Sequence, residues 1–361
     1  MQRAHKIRIY PNAEQAKILR QHVGGVRYVY NWGLAAWKQW VEDKKNGVRD
    51  DNPNWIKLYH KWMTERPEWA KAIPGGAMAY SLKNLNTAYS NHFKLGRGWP
   101  KFKKKGSCND SFKETSQKCR IRKDGRHVHI VGVKTDIRMA EELRFNGKIN
   151  SYCVSVTGDK WYMSVQVETE DTRTAPDSIV GVDVGMINPA VCSDGTSLTL
   201  PTEQLQSLDR RLRKSQRRYS RRKKGSRRRY KALKRKQRIQ EQINHIRGDA
   251  IHKFTSSVCK NHATVVIEDL NAAGMHHGPK NIRSGMQRSC MSEILRQLEY
   301  KAIHIVKADR WYPSTQLCSK CGARQKMELT ERVYNCPHCG LSLDRDLNAA
   351  INLSKYPGSQ G

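Results

Sequence analysis

The chain has 361 residues, enough for two or three domains with real cores. Its 67 lysines and arginines against 33 acids give a formal charge of +34, an excess that points to a polyanion partner rather than an ordinary soluble enzyme. No apolar run approaches the roughly 18 residues of a membrane span, and MQRAHKIRIYPN has no apolar signal-peptide core, so no membrane partner is expected. Six cysteines (Cys108, Cys119, Cys153, Cys192, Cys259, Cys290) show no framework spacing and are expected to be reduced, which implies a cytoplasmic protein.

His5–Tyr10 alternates basic and apolar residues, as a half-buried strand does. Asn12 and Gln15 form a capping-box pattern, which predicts a helix to about Val23. Gly24-Gly25 is expected to break it, and a second helix to run from about Arg27 to Asp43. Helical patterning continues from Asn54 to Phe93, interrupted at Pro67 and at Pro74-Gly75-Gly76. Residues 1–99 hold seven of the nine tryptophans, which favours a Trp-rich helical core over a base-stacking surface. A basic, turn-rich linker follows at Pro100–Gly106. Ser111–Glu170 then reads as short alternating strands of a small barrel or sandwich, which the strand at His5–Tyr10 could join.

Ser178–Val182 is an apolar strand running into Asp183, followed by Gly185 and a second short strand at Ala190–Cys192. An acid in such a strand is costly unless a cation compensates it. A hairpin of this kind is how the RNase H-like fold places its first metal ligand. From Arg210 to Arg238, 18 of 29 residues are basic and none is acidic, in a helical pattern broken at Gly225-Ser226. Eighteen like charges would repel in an isolated helix, so the run is assigned to nucleic-acid contact. The residues concerned are Arg210, Arg211, Arg213, Lys214, Arg217, Arg218, Arg221, Arg222, Lys223, Lys224, Arg227, Arg228 and Arg229. The helix extends to about Lys260. Ala263–Leu270 is a buried strand that ends on Glu268, residues 286–305 have an amphipathic helical pattern, and His304–Ala308 is a further strand.

The last stretch carries two signals. Cys318/Cys321 and Cys336/Cys339 are Cys-x-x-Cys pairs, each followed by glycine, with the spacing of a closed four-thiolate zinc site. With all four positions used, that zinc is structural. Asp344-Arg345-Asp346 then opens a helix, with Asp344 expected as its N-cap and Asp346 inside the first turn. Asp183, Glu268 and Asp346 thus lie on elements that one α/β sheet can bring together. Converging carboxylates repel, so two Mg²⁺ ions are expected between them, suited to phosphodiester hydrolysis.

GVDVGMINPAVCSDG, VVIEDL, WYPSTQLCSKCG with YNCPHCGLSLDRDLNAAINL, and the N-terminal KIRIYPNAEQ with GGVRYVYNWGL together resemble the TnpB family, over nearly the whole chain. The family comprises nucleases of bacterial insertion sequences related to type V CRISPR effectors. The resemblance implies a multidomain α+β protein. A wedge β-barrel (1–10 and 98–175) would be interrupted by a helical recognition domain (11–97). A RuvC-like α/β nuclease domain (176–361) would follow, with an inserted zinc ribbon (313–341). It implies an RNA-guided, Mg²⁺-dependent DNA endonuclease whose acids are Asp183, Glu268 and Asp346. Its partners would be a guide RNA from the element end, one per protein, and target double-stranded DNA beside a short motif. Its place of action would be the bacterial nucleoid. Two other readings remain: a non-cleaving nucleic-acid-binding regulator, and a transposase acting directly on element ends.

Overall fold

The computed structural model describes residues 1–105, 110–115, 119–270, 285, 289–328 and 330–357. Cys108 and positions 286–288, the start of the expected amphipathic helix, lie outside them. The chain forms two compact units, Met1–Asp171 with Arg218–Arg238, and Thr172–Arg217 with Ile239–Gly361.

The first unit is built on a seven-stranded antiparallel sheet. Its strands are β1 (Gln2–Tyr10), β2 (Asp110–Thr115), β3 (Cys119–Ile121), β4 (His127–Ile130), β5 (Ile137–Met139), β6 (Lys148–Thr157) and β7 (Lys160–Glu168), in the order β2-β6-β7-β1-β5-β4-β3. The two edge strands are consecutive in sequence. Only three residues separate Thr115 from Cys119, a reach of at most about 15 Å. A flat sheet of seven strands would put its edges nearly twice as far apart, at about 4.8 Å per strand. The sheet is therefore curled into a nearly closed barrel, with β1 at its centre.

Helix α1 (Ala13–Lys45) leaves β1 through the expected capping box: Gln15 N–H donates to Asn12 Oδ1 (2.9 Å), and Asn12 N–H to Gln15 Oε1 (2.8 Å). The expected break at Gly24-Gly25 does not occur; α1 is one helix of 33 residues. Its glycines serve packing instead. A Cβ on Gly25 would sit 1.8 Å from Ile73 Cδ1, and one on Gly33 would sit 2.5 Å from a methyl of Leu82. A glycine costs a helix about 1 kcal/mol, and close packing offsets it. Helix α2 (Trp55–Glu65) and helix α3 (Gly75–Leu95) pack on α1, separated by a 3-10 turn at Glu68–Ala72. The helical pattern is interrupted at Pro67 and Pro74 as expected, and Gly75-Gly76 opens α3: Ala77 N–H donates to the buried Glu114 carboxylate (3.0 Å), against which no Cβ at Gly76 would fit. Trp37, Trp40 and Trp62 are buried, as a Trp-rich core requires, while Trp69 and Trp99 are exposed.

In the second unit, strands β8 (Ile179–Asp183), β9 (Val191–Cys192), β10 (Thr264–Glu268) and β11 (His304–Ala308) form a sheet of order β11-β10-β8-β9. The first three in that order run parallel, and β9 is antiparallel to β8. Side chains alternate between the faces of a strand. Val180, Val182, Val265 and Ile267 enter a core shared with α5 (Arg227–Asn261) and α6 (Met291–Lys301). Val266 packs on the opposite face with Leu353 of α7 (Arg345–Ser354). Between β9 and α5 lies α4 (Thr202–Ser220). The expected break at Gly225-Ser226 is the turn between α4 and α5: Gly225 has φ +83° and Ser226 Oγ accepts from Arg229 N–H (3.1 Å). Strands β12 (Val333–Asn335) and β13 (Ser342–Asp344) form a hairpin that delivers the chain into α7. No described helix is long and apolar enough to cross a membrane.

Candidate nuclease centre and metal site

Strand parity brings the acids to one face. Gly181 and Asp183 alternate with Val180 and Val182, and Val266 and Glu268 alternate with Val265 and Ile267. Both carboxylates therefore point to the side that α7 covers. The register pairs Val182 with Ile267, so Asp183 and Glu268 end neighbouring parallel strands at the same level.

Helix α7 approaches closely because its facing residues are small. Ala349 and Ala350 are fully buried, and a Cβ on Gly181 would sit 2.0 Å from the Ala350 carbonyl oxygen. Asp346 lies on the same stripe, three and four residues before these alanines. Its N-cap is Asp344, whose Oδ1 accepts from the N–H groups of Asp346 and Leu347, both at 3.0 Å. The helix thus begins in the expected register.

The Asp346 carboxylate is nearly buried and has two side-chain partners. Asn188 Nδ2 donates to Oδ2 (2.8 Å), and the Arg345 guanidinium lies 3.3 Å from Oδ1. Asp183 is pushed up to about 7, first by desolvation, then by the negative charges of Glu268 and Asp346; Arg345 partly offsets this. Glu268 is also raised by desolvation, against a hydrogen bond from the Ser314 hydroxyl. Asp183 and Glu268, both held back from ionising in this way, fit a bound cation, which would neutralise the negative charge gathered beside Asp183. Hard oxygen donors suit Mg²⁺. Neither Asn188 nor Ser314 is singled out by sequence pattern alone; their partners are remote in the chain.

The four cysteines are gathered more tightly. Among the described residues, theirs are the one group of three or more candidate ligand atoms lying within 4.8 Å of one another. Cys318 and Cys339 sulfurs are 3.5 Å apart, and Cys321 and Cys336 sulfurs 3.6 Å. A disulfide would bring sulfurs to about 2.05 Å. Tetrahedral zinc with bonds of about 2.3 Å sets them about 3.8 Å apart, so the donor set fits zinc. Both knuckles share one backbone pattern. Gly322 N–H donates to Cys318 O and Cys318 N–H to Ala323 O; Gly340 N–H donates to Cys336 O and Cys336 N–H to Leu341 O. Both glycines have positive φ, +74° and +71°, which a side chain would strain. Desolvation opposes ionisation of Cys318, but N–H groups of Cys321 and Lys320 outweigh it and pull the thiol down to about 6. Cys336→Ser is expected to release the metal and loosen residues 313–344. Zinc content and protease sensitivity check this; a variant that kept one zinc per chain would refute the site.

The basic run lies on α4, the turn and α5. Arg217, Arg218, Arg221 and Arg222 are exposed. Arg229 is different: its guanidinium stacks on Tyr219 (4.1 Å) and donates to the Arg222 and Tyr219 carbonyls, which closes the turn.

Residues 162–277 match a family model described as “Probable transposase”, and residues 292–353 match “Cas12f1-like, TNB domain”. Residues 1–46 match a “Helix-turn-helix domain”, although here they form β1 and the single helix α1. The chain is 32% identical over 380 residues to “Putative RNA-guided DNA endonuclease InsQ” of Escherichia coli, covering 97% of this chain and 91% of that one. It is 30% identical to a “Putative RNA-guided DNA endonuclease” of Streptomyces pristinaespiralis, covering 98% and 89%. It is similar in fold to the protein of the “Cryo-EM structure of the Cas12f1-sgRNA-target DNA complex”, with TM-score 0.55, 14% identity and 98% of each chain covered.

Proposed function

The chain belongs to the TnpB-like family of insertion-sequence RNA-guided DNA endonucleases, and from this we propose that it cuts guide-matched double-stranded DNA at a RuvC-like centre formed by Asp183, Glu268 and Asp346. The observation that carries the site is the convergence of these acids on the α7 face of the sheet, with Asp183 driven towards its protonated form first by desolvation and then by the charges of Glu268 and Asp346. The three carboxylates would hold two Mg²⁺ ions, whose Lewis acidity phosphodiester hydrolysis requires. Asn188 orients Oδ2 of Asp346, and Ser314 fixes Oε1 of Glu268. Arg345 supplies positive charge beside the acids without being a metal ligand. The four thiolates would hold one structural zinc, with no coordination position left for chemistry. A guide RNA from the element end and a target duplex beside a short motif are the proposed partners, with one protein per guide. The excess of positive charge supports a nucleic-acid partner.

The second reading, a transposase acting on element ends without a guide, is favoured by the description of the matched family model. A non-cleaving regulator is disfavoured by the retention of all three acids. RNA sequencing of the purified complex, followed by nuclease stripping of the RNA, separates these. The expected result is a discrete element-end RNA, and no cutting of a matched duplex in Mg²⁺ once it is removed. Site-specific cutting by RNA-free protein would establish the transposase reading instead.

A further inference from the structure

The zinc knuckle and the acid cluster share a set of hydrogen bonds. The Ser314 hydroxyl donates to Glu268 Oε1, and Ser314 is 2% exposed, so water does not compete for that bond. The Ser314 carbonyl accepts from Asn352 Nδ2 (2.8 Å). The Leu317 carbonyl accepts from both Asn348 Nδ2 and Asn352 Nδ2, each at 2.7 Å. Ser319 N–H donates to Asn348 Oδ1 (2.9 Å). Cys318, the first thiol of the metal site, lies between these two clipped residues. Asn348 and Asn352 are buried on one stripe of α7, one turn apart, and Asp346 precedes Asn348 by two residues on the same helix.

We propose that the segment from Ser314 to Ser319 is a jig that sets Glu268 against Asp346, with Ser314 the positioning residue and Asn348 and Asn352 its supports. The proposal rests on the reading that Glu268 and Asp346 share a divalent cation. A glutamate side chain at a strand end has several rotamers, and each fixed rotamer costs conformational entropy. A bond from a buried hydroxyl to one oxygen selects the rotamer and leaves the other oxygen for a metal. The hydroxyl's own position is set by α7, the helix that carries the opposing carboxylate. The two ligands are therefore referenced to one rigid element. The zinc knuckle closes the far end of the same segment, so metal at the thiols and geometry at the acids are mechanically linked. Partners of this kind that orient metal ligands are worth about 10–100-fold in metal affinity or activity.

The test reads metal binding without relying on turnover. With added hydrogen peroxide and ascorbate, Fe²⁺ bound in place of Mg²⁺ is oxidised to Fe³⁺ as it splits peroxide into hydroxide and a hydroxyl radical, ascorbate returns it to Fe²⁺, and the radical cuts the adjacent polypeptide, here near Asp183 and Glu268. In the guide-bound protein, Ser314→Ala is expected to keep its zinc and its RNA. It should need at least about tenfold more Fe²⁺ for half-maximal backbone cutting. Ser314→Thr, which retains the hydroxyl, is expected to restore the wild-type requirement. Cys336→Ser is expected to raise it as Ser314→Ala does, and the double variant to be no worse than the poorer single one. Wild-type Fe²⁺ dependence in Ser314→Ala, with Glu268→Gln impaired, would overturn the jig and leave the acid site standing. Wild-type dependence in both would overturn the acid site itself.

Discussion

Asp346→Ala is expected to abolish cutting of both target strands while leaving guide and target binding intact; Asp344→Asn, two residues away, is expected to keep most of the activity. The contrast follows from helix register. Asp344 sits outside α7 and spends one carboxylate oxygen on two backbone N–H groups. An asparagine keeps a side-chain oxygen there, so the change costs about 1 kcal/mol or less. Asp346 is inside the first turn, on the stripe that continues through Ala349, Ala350 and Leu353. Its carboxylate lies near the end of β8, where its negative charge is one of those that raise Asp183. Removing it empties one side of the cation site and orphans Asn188. Strand-specific cleavage of labelled duplexes, alongside filter binding, is the measurement. A cleaving Asp346→Ala, or a dead Asp344→Asn, would reverse the roles given to the two acids.

The second large effect is expected in salt dependence. Replacing Arg217, Arg218, Arg221 and Arg222 together by glutamine removes four exposed cations from the end of α4 and the turn after it. Each phosphate that is no longer neutralised flattens the slope of log affinity against log salt by about 0.7–0.9, so four of them change it by about 3. Between 50 and 200 mM salt, a fourfold change, the wild-type complex should then lose about 60-fold more affinity than the variant. Arg229, stacked on Tyr219 and bonded to two carbonyls, is left in place so that the turn survives. An unchanged slope would show that the run faces solvent.

What was legible in the sequence depended on whether a residue's partner lay nearby in the chain. The zinc knuckles are local: two cysteines, a glycine and the backbone bonds that the glycine permits. Asp183 and Glu268 stood out in the sequence as acids closing apolar strands, and the structure adds their parity. In IVGVD and TVVIE, Gly181 with Asp183 and Val266 with Glu268 fall on the face opposite the valine and isoleucine core. The Asp344 cap was readable for the same local reason. Gly24-Gly25 misled because a glycine pair looks alike whether it ends a helix or lets another segment in. The deciding partner, Ile73, is about fifty residues away. Ser314 and Asn188 were invisible on the same ground. Nothing near either residue in the chain reveals the carboxylate it holds.

The central position of β1 bears on the order of events during synthesis. Its nine residues are made well before their main partner, since Gln2 pairs with Glu168 and Ile9 with Trp161. Until β7 has emerged, β1 has only its short pairing with β5 (Ile9 with Met139, Tyr10 with Arg138), and β6 has only β2 beside it. Pairings of such sequence separation are slow to form because loop entropy is lost before they can compensate it. The helices α1 to α3, whose partners are closer in sequence, can assemble while the N-terminal strand is still waiting.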